Sequence, residues 1–250
     1  MPSKRQIEAD NLKAEIRKIY MDSKCRYGAP KIYKTLKMNG RNVSLKRVQR
    51  YMSSMGLRSI VVKKFRPHSS KSSVEEKENL LNRNFEASGI NQKWCTDITY
   101  IHTLKDGWTY LASVMDLYSK KIIGYAYGTS MTAELVVKSL ENACLNVKST
   151  KGIILHSDLG TQYTSQKFQE LVSKKEMIHS FSRKGNPYDN ACIESFHSIL
   201  KKEEVNHSKY YDFNVARKAI FEFIESWYNR KRIHGSINDM TPHAAHEAAA

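Results

Sequence analysis

The sequence predicts an α/β fold, a mixed sheet flanked by helices, preceded by a small all-helical region. Three observations predict it. From residue 92 onward, short apolar or alternating runs give way to stretches of helical periodicity and back again. The first 60 residues keep helical spacing throughout, and residues 61–91 between the two regions are polar and serine-rich.

The elements follow in order. Ile7, Leu12, Ile16 and Ile19 recur at helical spacing and predict a first helix. APKIYKTLKMNG predicts a second, with Ile32, Tyr33 and Leu36 as its apolar stripe and Gly40 as its stop. SLKRVQRYMSSMGL predicts a third, capped by Ser44 and closed by Gly56. In it Leu45, Val48, Met52 and Met55 face inward, which leaves Lys46, Arg47 and Arg50 outside. Helix, short Gly-containing turn and basic helix form a helix-turn-helix pattern over residues 1–60. Residues 61–91 read as a linker with at most one short helix. WCTDITYI and GWTYLASVMDLYS are strands joined by a tight turn at Lys105, Asp106 and Gly107, and KKIIGYAYGTS is a third. TAELVVKSLENACLNV is a helix, GIILHSD a strand, SQKFQELVSKK a helix and MIHSFS a short strand. A further helix opens after GNPYDN, with Asp189 or Asn190 as its N-cap. A core over residues 92–205 then leaves 206–250 as a C-terminal helix and tail.

Charge points to a polyanion. The net charge is +16, and residues 1–90 carry 21 Lys and Arg against 8 Asp and Glu, so most of the excess lies there. Such a region gains by displacing counterions from phosphate. Cys25, Cys95, Cys144 and Cys192 lie far apart without zinc-ligand spacing, so they read as reduced core thiols. No apolar run approaches the ~18–20 residues of a membrane helix, and the first residues lack a signal-peptide core. The expected location is the cytoplasm, on DNA, with no membrane.

Three acids draw attention. Asp97 shares a strand face with Cys95, Thr99 and Ile101, an unusual place for a charge. Asp158 closes the strand GIILHSD, where open α/β sheets present ligand-binding groups. Glu194 lies one turn into its helix, on a face continued by His197, Ser198 and Lys201, while Ile193, Phe196 and Leu200 face the core. Each has a plain structural explanation: an ion pair, a strand-end cap, a helix-dipole partner. Convergent, they would repel one another unless cations joined them, and oxygen ligands of this kind suit Mg²⁺ or Mn²⁺. Two such ions about 3.5–4 Å apart can activate an attacking oxygen and stabilise a leaving one in phosphodiester chemistry. Glu203, nine residues beyond Glu194, is expected to lie outside that chemistry.

The interval between Asp158 and Glu194, 35 residues, and the wording WCTDITYI, HSDLGTQYTS and NPYDNACIESFHSILKKE resemble the Asp, Asp, 35, Glu core of retroviral integrases and bacterial insertion-sequence transposases. WYNRKRIHGSINDMTP resembles the signature that follows that core in the insertion-sequence branch, at Tyr228, Asn229, Arg232, His234 and Thr241-Pro242. YGAPKIYKTLKMNGRNVSLKRVQRYMSSMGL is similar to the helix-turn-helix region preceding it. The resemblance implies a ribonuclease H-like core with Asp97, Asp158 and Glu194 as catalytic residues and ligands of two Mg²⁺ or Mn²⁺ ions. It implies cleavage and joining of double-stranded DNA at element ends, a homo-oligomer in the synaptic complex and a circular intermediate. Lys201 would hold the transposon end, and Lys184-Gly185, Asn186 and Tyr188 would belong to a mobile loop before the catalytic helix. Lys46, Arg47, Arg50, Tyr188, Arg232 and His234 are the further candidates for DNA contact. The branch is commonly made as a two-frame fusion, and the absence of sustained a/d heptads here suggests the downstream frame, with an upstream-frame product as partner. The tail TPHAAHEAAA departs from the usual pattern and is given no role. The lack of an N-terminal His/Cys zinc module favours the bacterial branch.

Rival readings each make a distinct demand. A tyrosine recombinase would use Tyr228 with Arg230, Arg232 and His234 and need no metal. A non-enzymatic DNA-binding regulator would work without the acids. A plain nuclease of the same fold would cleave and never join.

Overall fold

A computed structural model describes residues 3–61, 78–183 and 186–250. The chain divides into two compact units, Met1–Lys64 and Phe65–Ala250.

The first unit is three helices. Helix α1 (Lys4–Asp22) starts at Ser3, whose hydroxyl accepts from the Gln6 amide at 3.2 Å, and buries Leu12, Ile16 and Tyr20. The stripe therefore runs in steps of four, and Ile7, five residues before Leu12, is turned roughly 140° away from it and is exposed. Helix α2 (Ala29–Met38) buries Ile32 and Leu36, and α3 (Leu45–Ser54), capped by Ser44, buries Val48 and Met52. Their inward faces follow the sequence pattern.

The second unit is a five-stranded mixed sheet in the order β3-β2-β1-β4-β5. Strands β1 (Lys93–Thr103), β2 (Gly107–Asp116) and β3 (Ile122–Gly128) form an antiparallel meander, while β4 (Ile154–Ser157) and β5 (Ile178–Phe181) add parallel to β1. The β1–β2 turn needs a left-handed residue to match strand twist, and Gly107 supplies it at φ +71°. Helix α4 (Ala133–Cys144) lies backbone to backbone on β3. A Cβ at Gly124 would stand 2.4 Å from the Ala143 nitrogen, so only glycine fits there. A single turn, α5 (Thr161–Thr164), and helix α6 (Gln166–Lys174) follow β4. One face of the sheet buries Trp94, Ala112 and Val114 against Leu135, Val136 and Leu140 of α4 and against Phe168 and Val172 of α6. Tyr163 of α5 joins this layer, and its hydroxyl meets that of Thr96 at 3.2 Å.

The other face is covered by α7 (Ala191–Glu203) and by α8 (Phe213–Glu222), which widens into a π-helical stretch at Phe223–Tyr228. Ile193, Phe196 and Leu200 of α7 are fully buried, and the Phe196 and Tyr228 rings meet edge to face at 4.7 Å. The tail, given no role by the sequence, forms α9 (Pro242–Glu247). Its His246 approaches Ser119 at 3.1 Å, and Ser119 in turn donates to Asp116, so the tail braces the β2–β3 turn.

Of the expected linker, residues 62–77 lie outside the described residues. Residues 78–91 contain no helix or strand, yet they are tied down. The Leu81 amide donates to Ser180 Oγ at 3.0 Å, and the Phe181 amide donates to the Glu78 carbonyl. All four cysteines are free thiols; Cys95 and Cys144 are buried as expected, whereas Cys25 and Cys192 are only partly buried.

Candidate active site

The parallel ladder between β1 and β4 ends at Cys95 opposite His156. Asp97 lies two residues further along β1, and Asp158 directly follows the end of β4, close enough for the charge of Asp97 to act on its carboxyl. Helix α7 packs on β1 and carries Glu194 in its first turn. The three acids therefore come from mid-strand, strand end and helix start, and they approach one another beyond the end of β4, next to the central strand β1.

Their environments differ. Asp97 Oδ1 accepts from the Ile98 amide at 2.8 Å, and its Oδ2 lies 3.4 Å from Nδ1 of the buried His197. Asp158 Oδ1 accepts from the Gly160 amide at 2.9 Å. Burial and then the charge of Asp97 push the Asp158 carboxyl up to about 6. Partial desolvation, then Asp97 and then Asp158, raise Glu194 as well. Each of these two carboxyls thus feels the like charge of its neighbours. Among the described residues no three His, Cys, Asp or Glu side chains are already drawn into a metal cage. The donor set still fits a hard divalent cation, because it is all oxygen and its mutual repulsion is what a bound cation would relieve.

Lys201 follows Glu194 by two turns. Its ammonium sits 4.4 Å from the centre of the Tyr100 ring, and desolvation lowers its pKa against the pull of Asp97. Tyr188 is exposed, with the Arg83 guanidinium 5.7 Å from its ring. Lys184 and Gly185 lie outside the described residues. In the first unit Lys46 and Arg50 are exposed on α3, while Arg47 is engaged with Glu8 at 2.9 Å and with the Tyr51 hydroxyl at 3.3 Å.

Arg232 and His234 stand elsewhere than expected. Both are buried: Arg232 pairs with Glu203 at 3.0 Å and contacts His234 at 3.1 Å. Glu203, expected to be incidental, is the buried centre of this cluster and also accepts from Trp227 Nε1 at 2.9 Å. Asn229 uses both ends of its amide on the backbone of Ile122, at 3.0 Å each. The tail signature is thus architectural, since it fastens the C-terminal helices to the sheet.

Of the two N-cap candidates Asn190 holds the position, and the roles of Asp189 and His197 were missed. Asn190 is the N-cap of α7 but makes no side-chain cap bond, and Asp189 caps nothing. Fully buried, Asp189 accepts from the Arg183 amide and guanidinium, from Arg83 Nε at 2.8 Å and from Asn79 Nδ2 at 2.8 Å. The guanidinium of Arg183 holds its carboxyl well below the usual range. No local signal links residues 79, 83 and 189. His197 beside Asp97 had a partial signal, because it shares the Glu194 helix face.

A mixed sheet in this order, with acids on β1, after β4 and on α7, defines a ribonuclease H-like integrase core. Two family models described as "Integrase core domain" match residues 87–187 and 175–242, and one described as "HTH-like domain" matches residues 7–65. The chain is 38% identical over 242 residues to the transposase for insertion sequence element IS904 of Lactococcus lactis, covering 96% of this chain and 95% of that one. It is 39% identical over 221 residues to transposase InsF of insertion sequence IS3A of Escherichia coli, covering 88% and 76%. The simian T-cell lymphotropic virus intasome shares the fold at TM-score 0.52 and 17% identity, over 85% of this chain and 69% of that one. The chain belongs to the insertion-sequence transposases with an integrase core.

Proposed function

We propose that the chain cleaves and joins DNA strands at the ends of an insertion sequence, using Asp97, Asp158 and Glu194 as ligands of two Mg²⁺ or Mn²⁺ ions. The approach of these three carboxylates to one another beside the central strands, with the carboxyls of Asp158 and Glu194 raised by burial and then by their acidic neighbours, carries the reading. The ions would supply Lewis acidity to the phosphate and lower the pKa of an attacking hydroxyl.

The chain's own groups do the rest. His197 steadies one oxygen of Asp97, and the Ile98 amide steadies the other. Lys201, beside Asp97, offers a cation to a phosphate at the site. Lys46 and Arg50 supply phosphate contacts from the helix-turn-helix unit. In the first step water attacks phosphorus, the bond to the 3′ oxygen breaks and a 3′-hydroxyl leaves. In the second that hydroxyl attacks a phosphodiester of another strand and displaces its 3′ oxygen, so the number of phosphodiester bonds is conserved. Synapsis of two ends calls for a homo-oligomer.

The tyrosine-recombinase reading fails on Tyr228, which is 1% exposed and whose phenol pKa burial raises further. Incubation with end DNA and Mn²⁺ tests the proposal: both nicked and joined products are expected. Nicking without joining would leave a nuclease.

A further inference from the structure

Strand β1 runs on past its ladder with β4, and its outer part presents an aromatic surface. Tyr100 and Trp108 are each 55% exposed, and their rings meet edge to face at 5.3 Å. His102, opposite Trp108 in the antiparallel register, meets the same ring at 5.0 Å. Exposed apolar residues scattered singly are ordinary; three rings in contact, outside any core, are not. Strand alternation turns Tyr100 to the face away from Asp97. The β1–β4 ladder ends at Cys95, however, and Lys201 from the acid side reaches the Tyr100 ring. Asp97 and Tyr100 are three residues apart, about 10 Å along a strand, or roughly three base rises of 3.4 Å. A DNA strand leaving the acids past Lys201 would come onto these rings.

We infer that Tyr100, His102 and Trp108 form a stacking platform for unpaired bases of the strand flanking the phosphodiester at Asp97, Asp158 and Glu194, with Lys201 contacting the intervening phosphate. The inference rests on the DNA-joining reading. Rings interleaved with a cation suit single-stranded nucleic acid, whose bases expose their π-faces. A duplex hides those faces in its stack. The Lys201 ammonium over the Tyr100 ring calls for an anionic occupant, which the phosphates of a nucleic acid strand supply.

The test uses the full chain in chelator, with oligothymidylate of about a dozen nucleotides as probe and a hairpin duplex of equal phosphate count as reference. Of the three tryptophans, Trp94 and Trp227 are buried, so quenching of exposed tryptophan emission reports Trp108. Oligothymidylate is expected to quench it. Because the Trp108 variants lack that reporter, affinities are read from the anisotropy of end-labelled probes: Tyr100→Ala and Trp108→Ala are expected to weaken oligothymidylate binding by roughly 5- to 150-fold each, with duplex affinity little changed and Trp108→Phe largely restoring binding. Unchanged oligothymidylate affinity in both alanine variants would overturn the inference. So would a loss of self-association in its place, which would make the face a contact between copies. Cleavage and joining by the wild-type chain in Mn²⁺, run in parallel, separates the two failures. An active wild type with indifferent variants sinks the platform alone, and an inactive wild type sinks the DNA-joining reading.

Discussion

Asp189→Asn should loosen the segment in front of the catalytic helix. Asp189 is fully buried and accepts hydrogen bonds from Asn79, Arg83 and Arg183, of which the two arginines are about half exposed. A hydrogen bond to a charged group is worth about 1.5–3 kcal/mol, but exposure of the arginines screens much of it. Removing the charge while keeping the shape should therefore cost roughly 2–4 kcal/mol at pH 7. The pH dependence has a defined sign. The folded carboxyl lies far below its unfolded value near 3.8, so its contribution is fully present above about pH 4 and is lost as pH falls through the folded value. Urea unfolding of both proteins from pH 7 down to pH 3 should show the gap narrowing at the acid end. A difference below about 1 kcal/mol at pH 7, or one independent of pH, would refute the reasoning.

Asp158 has the opposite sign. Its carboxyl is raised to about 6, so the metal-free protein should lose stability as pH rises from about 4 to 6, and Asp158→Asn should be more stable at pH 7 by up to about 3 kcal/mol. Melting in chelator measures this, and Mn²⁺ should then raise the melting temperature of the wild type more than that of the variant. Glu203→Gln should destabilise by roughly 3–5 kcal/mol, because it strips the buried partner of Arg232; thermal melting checks it. Removing residues 1–66 should flatten the dependence of log K on log salt for duplex DNA, and Lys46→Ala with Arg50→Ala should lower the slope by up to about 2. An unchanged slope would move the binding surface to the core.

What was legible in the sequence was local. Val48 and Met52 face inward because helical spacing dictates it, and Asp97 and Asp158 stood out because one interrupts and the other ends an apolar strand run. The contacts that eluded the sequence join distant positions: Arg83 with Asp189, Glu203 with Arg232, His246 with Ser119. Arg232 and His234 were candidates for DNA contact through the tail signature that the segment WYNRKRIHGSINDMTP resembles. Their burial depends on Glu203, 29 residues before Arg232 in the chain, and spacing alone cannot supply that partner. Tyr100 and Trp108 fall within the strand segments WCTDITYI and GWTYLASVMDLYS, and only the sheet shows them exposed side by side.

The central claim turns on Glu194. Glu194→Gln keeps the shape and removes one charge from a repulsive acid cluster, so folding should be intact or slightly improved in the absence of metal. With Mn²⁺ and end DNA, cleavage and strand transfer should both fall by roughly a hundredfold or more, the loss expected when several kcal/mol of transition-state stabilisation disappear. The exposed Glu141 on α4 is the control, and Glu141→Gln should retain full activity. Equal activity of the two variants would mean that Glu194 complements a helix dipole and nothing more.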